Sequence, residues 1–251
     1  MNFVREKKYV CGKYVEIDII HYSTQQEKRL PRCKRQNMTK PSQKNLNDKN
    51  SRRYFGMILN ANFGSGDYHI SATYDEEHQP KDDEAAIKEL RNFIRRLKTI
   101  YRKAGVEMKE VHITEAGHKN GRVHHHIVIS GGVSRELIEK AWGRGYCNVD
   151  RLQPDKQDGL IALAKYLTKD PQGGRHRWGG SRNLAKPVVI INDNKYSMRA
   201  ACRIARELQD SRSGCLMRLN RIYKAYDVTN ARGVYNQVTG VTEIYLMARR
   251  I

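Results

Sequence analysis

A tight hairpin in the middle of the chain constrains the fold more than any other feature. VEMKEVHITEA (106–116) and RVHHHIVIS (122–130) both read as strands, and only the turn Gly117–Gly121 separates them. Strands joined over so short a distance pair antiparallel, because a parallel return needs a long crossover. YHISATY follows the turn-like Gly64–Asp67 and alternates Tyr68, Ile70, Ala72 and Tyr74 with His69, Ser71 and Thr73, a strand pattern. Residues 9–20, GYCNVDRL and KPVVII add strands, and GVYNQVTGVTEIYLMA reads as a hairpin about Thr239-Gly240. RYFGMILNANF fits either a strand or the end of a helix.

The clearest helix spans 82–104, where Ile87, Leu90, Ile94, Leu97 and Tyr101 recur at helical spacing. Acidic residues open it and Arg102 and Lys103 close it, as the helix dipole favours. Shorter helices are expected from Ser134 to a stop at Gly143, over 157–170 up to Pro171, and over 197–210. The fold class is α+β, with a central antiparallel sheet of about five strands and flanking helices. Residues 21–53 are polar and basic and read as a linker or arm. The expected organisation is a basic N-terminal arm (1–50), a core (51–195), and a C-terminal helix plus hairpin (196–251) packed on that core.

Charge is segregated. The chain of 251 residues has 47 Lys and Arg against 27 Asp and Glu, a formal net charge of +20. Residues 1–53 hold 14 basic and 5 acidic side chains, residues 54–174 hold 18 and 17, and residues 175–251 hold 15 and 5. Two basic flanks around a near-neutral core read as a footprint for a polyanion, above all nucleic acid. No apolar run is long enough to span a bilayer, and the N-terminal MNFVREKKYV lacks the apolar stretch of a signal peptide. Five scattered cysteines without a CxxC pair point to reduced thiols in a cytoplasmic protein.

Chemistry concentrates in RVHHHIVIS. Side chains alternate along a strand, so His124 and His126 share a face with Arg122 and Ser130, whereas His125 joins the apolar Val123, Ile127 and Ile129. Two imidazoles spaced this way can bind one metal ion, or can be an exposed, unliganded pair. Glu115 ends the preceding strand, and the hairpin brings it beside them as a third ligand or leaves it a solvated carboxylate. His112 and His118 rank lower as ligands. Tyr166 lies at the edge of the stripe Leu160, Leu163, Ala164 and Leu167, with Lys165 beside it and Lys169 one turn on. Ammonium groups there would favour a phenolate nucleophile; the bland reading is a core-edge tyrosine.

The run E-A-G-H-K-N-G-R-V-H-H-H-I-V-I (115–129), followed by A-K-Y-L-T-K (164–169), resembles the HUH endonucleases. Among them it is most similar to single-tyrosine rolling-circle replication initiators (Rep proteins) of bacterial plasmids and phages. NANFGSGDYHISATY resembles that family's first motif strand, and RWGGSRNL a segment after its tyrosine helix, so the likeness covers roughly residues 45–187. It implies an HUH/RRM-like fold, His124, His126 and Glu115 as ligands of Mg2+ or Mn2+, Tyr166 as nucleophile and Lys169 as its helical partner. The middle position of the motif is normally a bulky hydrophobic residue and here is His125, which leaves open which imidazoles bind metal; alternation favours the outer two.

The implied activity nicks single-stranded or hairpin origin DNA through a 5′-phosphotyrosine to start rolling-circle replication, and can rejoin ends. Arg122, Lys165, Arg175, Arg177 and Arg182, with Arg199, Arg203 and Arg206 of the basic C-terminal helix, are candidate DNA contacts. No GxxxxGK[ST] is present, so a host helicase and polymerase are the implied partners, in a bacterial cytoplasm, with no membrane and with a dimer on DNA as one arrangement. Rival readings are a single-tyrosine HUH transposase, a non-catalytic RRM-like binding module, and a zinc-stabilised fold using Cys147 with the histidines.

Overall fold

A computed structural model describes residues 2–23, 41–116, 122–169, 178–236 and 240–251. The chain begins with β1 (Asn2–Cys11), β2 (Tyr14–Ser23), α1 (Pro41–Asn62), β3 (Tyr68–Thr73) and α2 (Asp83–Lys103). It continues with β4 (Glu110–Ala116), β5 (Val123–Ile129), α3 (Arg135–Trp142), β6 (Cys147–Arg151) and α4 (Ile161–Leu167). The remainder is β7 (Gly179–Gly180), β8 (Val188–Asn192), α5 (Met198–Asp210), α6 (Arg212–Ile222), β9 (Tyr226–Asn236) and β10 (Val241–Arg250). These elements form two units, one of Asn62–Pro154 and Ala162–Ala185, the other of Met1–Ala61, Asp155–Ile161 and Lys186–Ile251. Each has its own antiparallel five-stranded sheet, so the α+β class holds. The second sheet is an addition to the single one expected.

The unit built around residues 62–154 runs β3-α2-β4-β5-α3-β6, with strand order β6-β3-β5-β4-β7. Its first four neighbours have the split βαββαβ arrangement of ferredoxin-like sheets. Asp82 caps α2, its carboxylate accepting from the Ala85 amide at 2.7 Å. Leu90, Phe93, Leu97 and Tyr101 of α2, with Ile138 and Trp142 of α3, bury one face of the sheet, made of Tyr68, Ile70, Ala72, Ile127, Ile129 and Val149. Both helices take this face, which leaves the polar alternates of β3, β5 and β6 on the other. Gly143 ends α3 in the left-handed region at φ +58, as its position in the sequence predicts.

The other unit has strand order β8-β1-β2-β10-β9. The strand read over 9–20 is in fact the end of β1, a two-residue turn and most of β2, because Gly12 at φ +63 lets the chain reverse. Helices α5 and α6 pack on Val15, Ile17, Ile19, Ile244, Leu246 and Ala248. On the opposite face of β2, buried Glu16 and Asp18 meet Arg53 of α1, at 2.6 Å to Glu16 and 2.6 and 2.8 Å to Asp18. Half of the polar stretch 21–53 is therefore helical: α1 starts at Pro41 and takes in RYFGMILNANF as its C-terminal half. Edge strand β8 leaves Val188, Val189, Ile190 and Ile191 between 44% and 60% exposed.

The helix expected over 157–170 is shorter. Asp155 accepts from the Gln157 and Asp158 amides, and Gly159 sits at φ +70, so residues 155–160 form a turn and α4 begins only at Ile161. Pro171 lies outside the described residues. Among the described residues no helix is long and apolar enough to cross a membrane.

Candidate active site

Register places the site. On β5, His126 stands opposite Ser71 of β3 and Ile113 of β4, and His124 stands opposite Thr73 and Glu115. Directly opposed residues point the same way, so His69, Ser71, Thr73, Glu115, His124 and His126 share the face that α2 and α3 leave uncovered.

His126 is its centre. The ring is 8% exposed, and Nε2 lies 3.5 Å from Oε2 of Glu115. Its Nδ1 is 3.3 Å from both Ser71 Oγ and His69 Nε2, with the His69 ring stacked at a centroid distance of 5.4 Å. Burial, helped by nearby His124 and Lys169, pulls the His126 pKa down to about 4, which keeps the imidazole neutral and its ring lone pair free. His69 is held down to about 4 by burial and by His126, against an opposing pull from Asp150.

Two more predicted residues arrive from α4 and its end. The Tyr166 ring meets His126 edge-on at 6.0 Å and is 52% exposed. Lys169 Nζ lies 5.0 Å from the Tyr166 ring centroid and 3.9 Å from Glu115 Oε1. Ala164 and Leu167 anchor the helix, which leaves Lys165 and Tyr166 outward. Thus Glu115, His126, Tyr166 and Lys169 converge, and His124 stands one residue pair away, across from Glu115.

His125 takes the opposite face. It is fully buried, with Tyr74 Oη 2.8 Å from Nε2, Thr114 Oγ1 3.0 Å from Nδ1, and the Trp142 ring edge-on at 5.7 Å. His112 shares that side, its Nδ1 2.8 Å from buried Glu110. Cys147 pairs with core-facing Ala72, and burial pushes its thiol up to about 12, so it does not join the outer histidines. His118, Arg175 and Arg177 lie outside the described residues. Arg122 and Arg182 belong to the histidine-bearing unit; Arg199, Arg203 and Arg206 lie on the exposed side of α5 in the other. His69 and Ser71 were missed as site residues, although the alternation of YHISATY already groups them on one face.

A divalent ion suits the donor set of two imidazoles and one carboxylate, and the 3.5 Å between His126 Nε2 and Glu115 Oε2 is a gap that two donors about 2.1 Å from a shared ion can span. Among the described residues, no group of three His, Cys, Asp or Glu side chains is drawn together tightly enough to hold a metal ion. The pair is formed and His124 stands beside it.

Residues 67–171 match the family model of the replication-associated protein ORF2. That span holds every residue of the cluster. The middle of this chain is thus similar to proteins of replication. A solved structure of hypothetical protein ORF119 from Sulfolobus islandicus rod-shaped virus 1 is also similar, at 15% identity and a TM-score of 0.34, covering 50% of this chain and 98% of that one. No curated protein matches.

Proposed function

We propose that this protein is a metal-dependent single-strand DNA nickase of the HUH type that initiates replication. One observation carries the reading: Glu115, His126, Tyr166 and Lys169, far apart in sequence, meet on one open sheet face within the span that matches replication-associated proteins. His126 and Glu115, with His124, would hold Mg2+ or Mn2+, which when bound withdraws charge from a phosphate oxygen.

The protein's own groups supply the rest. The half-exposed Tyr166 hydroxyl attacks phosphorus; the new Oη–P bond forms as the bond to the 3′-oxygen breaks. The products are a 5′-phosphotyrosine and a 3′-hydroxyl that a polymerase extends, and the phenol proton is balanced by the one gained at the 3′-oxygen. Lys169, above the Tyr166 ring and beside Glu115, faces the negative charge that builds on the phosphate. One ester replaces another, so the step runs backward as readily and rejoins ends. His69 and Ser71 hold His126 from its Nδ1 side and leave Nε2 toward Glu115. The basic flanks, Arg199, Arg203 and Arg206 included, would bind flanking backbone.

The test is a denaturing gel of protein incubated with single-stranded origin hairpins and Mn2+ or Mg2+. Wild type should give a covalent protein–DNA adduct that Tyr166→Phe and EDTA both abolish. Retention of DNA with no adduct under either metal would leave a non-catalytic binding module.

A further inference from the structure

Beyond the cluster, the same sheet face carries an aromatic group that the chemistry above does not use. Tyr146, just before β6, is 72% exposed, more than any other described aromatic side chain. Large rings left in water on a stable surface forgo apolar burial. Its backbone, by contrast, is tightly held. The Thr73 amide donates to the Tyr146 carbonyl at 2.8 Å, and the Asp75 amide to the Arg144 carbonyl at 3.0 Å. Gly145 between them sits at φ +133, where an added Cβ would stand 2.4 Å from the Asp75 nitrogen and 2.8 Å from the Thr73 oxygen. Only glycine lets the chain approach β3 this closely. Trp142 Nε1 donates to that same Thr73 oxygen at 2.8 Å, and Arg144 Nε to Glu89 at 3.0 Å.

Register then gives the position. Ala72 pairs with Cys147, so the Thr73–Tyr146 bond extends the ladder by one residue, and Thr73 pairs with His124, which pairs with Glu115. Tyr146 therefore heads the transverse row that ends at Glu115, on the same face. At about 4.8 Å per strand it stands roughly 10 Å from His124. At the compact limit of about 3.4 Å per nucleotide, that distance is no more than about three nucleotides. Arg122, whose side chain is 53% exposed, lies just before β5 on the same alternation as His124 and offers a cation for phosphate.

We infer that Tyr146 is a stacking platform for a base of the single strand that crosses this face. The inference rests on the nickase reading for the path of the strand but not for any bond-breaking step. A ring on a fixed backbone has few rotamers to lose when a base settles on it, and every base offers a π face.

The experiment uses the full chain carrying Tyr166→Phe, so that nothing is cut, without metal. The probe is an oligothymidylate of about 12 nucleotides with one 2-aminopurine near its centre. Binding should quench the 2-aminopurine, and Tyr146→Ala should remove most of that quenching and weaken binding by about five-fold to a hundred-fold, while Tyr146→Phe retains both. Thermal melting should be the same for Tyr146→Ala and its parent, which excludes a folding defect. Quenching and affinity unchanged by Tyr146→Ala would overturn the inference, whether or not the wild type forms adducts. If no adduct forms but Tyr146→Ala still abolishes quenching, the stacking site stands and the nickase reading falls alone.

Discussion

Within His124–His125–His126, one peptide unit separates a side chain buried for packing from one turned toward a carboxylate. The two roles predict different defects. His125→Ala empties a fully buried site and leaves the Tyr74 and Thr114 hydroxyls short of a partner, so stability should fall by roughly 2–4 kcal/mol in denaturant titrations. His126→Ala should cost less stability but weaken Mn2+ binding at least ten-fold by calorimetry. The reverse pattern would show that the faces have been assigned the wrong way round. Burial also carries a pH signature. His125 is held down to about 3 against an ordinary 6.5. As pH falls below 6.5 the unfolded chain takes up a proton there that the native state refuses, so stability drops between pH 6.5 and 3. Urea midpoints measured in EDTA at pH 7 and pH 5 should differ in that direction, and less so in His125→Asn. Strand alternation made this split legible: Val123, Ile127 and Ile129 mark the inner face in the sequence itself. His69 was not legible as a site residue, because its place beside His126 depends on how β3 and β5 are paired, and register between strands so distant in sequence leaves no local trace.

At the scale of elements, the legible ones are those whose burial is one-sided. Helix α2 shows its apolar stripe and its acidic start, and the β4–β5 hairpin shows its alternation. Helix α1 hides, because what ties it to β2 is a set of charges: Arg53 reaches Glu16 and Asp18, side chains that in a sequence look like solvent-facing polar residues. Removing the guanidinium leaves two buried carboxylates uncompensated, so Arg53→Ala should cost about 3–5 kcal/mol, read from chemical denaturation. Glu16→Gln together with Asp18→Asn and Arg53→Met should recover much of that loss; a triple variant no better than Arg53→Ala would mean that the cost is not electrostatic. The start of α4 was misjudged for a different reason. Leu160 and Leu163 continue the helical spacing of the stripe, but Asp155 and Gly159 close a turn first, and the Leu160 amide donates to Asn60 Oδ1 at 2.7 Å instead of to a helical carbonyl.

For the whole molecule, the two units differ in how far their pairings reach along the chain. In one, β4 and β5 are hairpin neighbours and β3 meets β5 about fifty residues on. In the other, β2 is flanked on one side by β1 and on the other by β10, with Ile19 against Ile244 and Val15 against Ala248. Pulse-labelling hydrogen exchange during refolding should therefore protect the amides of β3, β4 and β5 before those of β10; simultaneous protection would contradict this. A consequence follows for the chain as it leaves the ribosome. Synthesis delivers every residue of the candidate site before it delivers β10, the strand that completes the second sheet. A nascent chain arrested after residue 200 would carry the histidine-bearing half with its core in place, while β2 still waited with one edge open and in need of shielding from neighbouring chains.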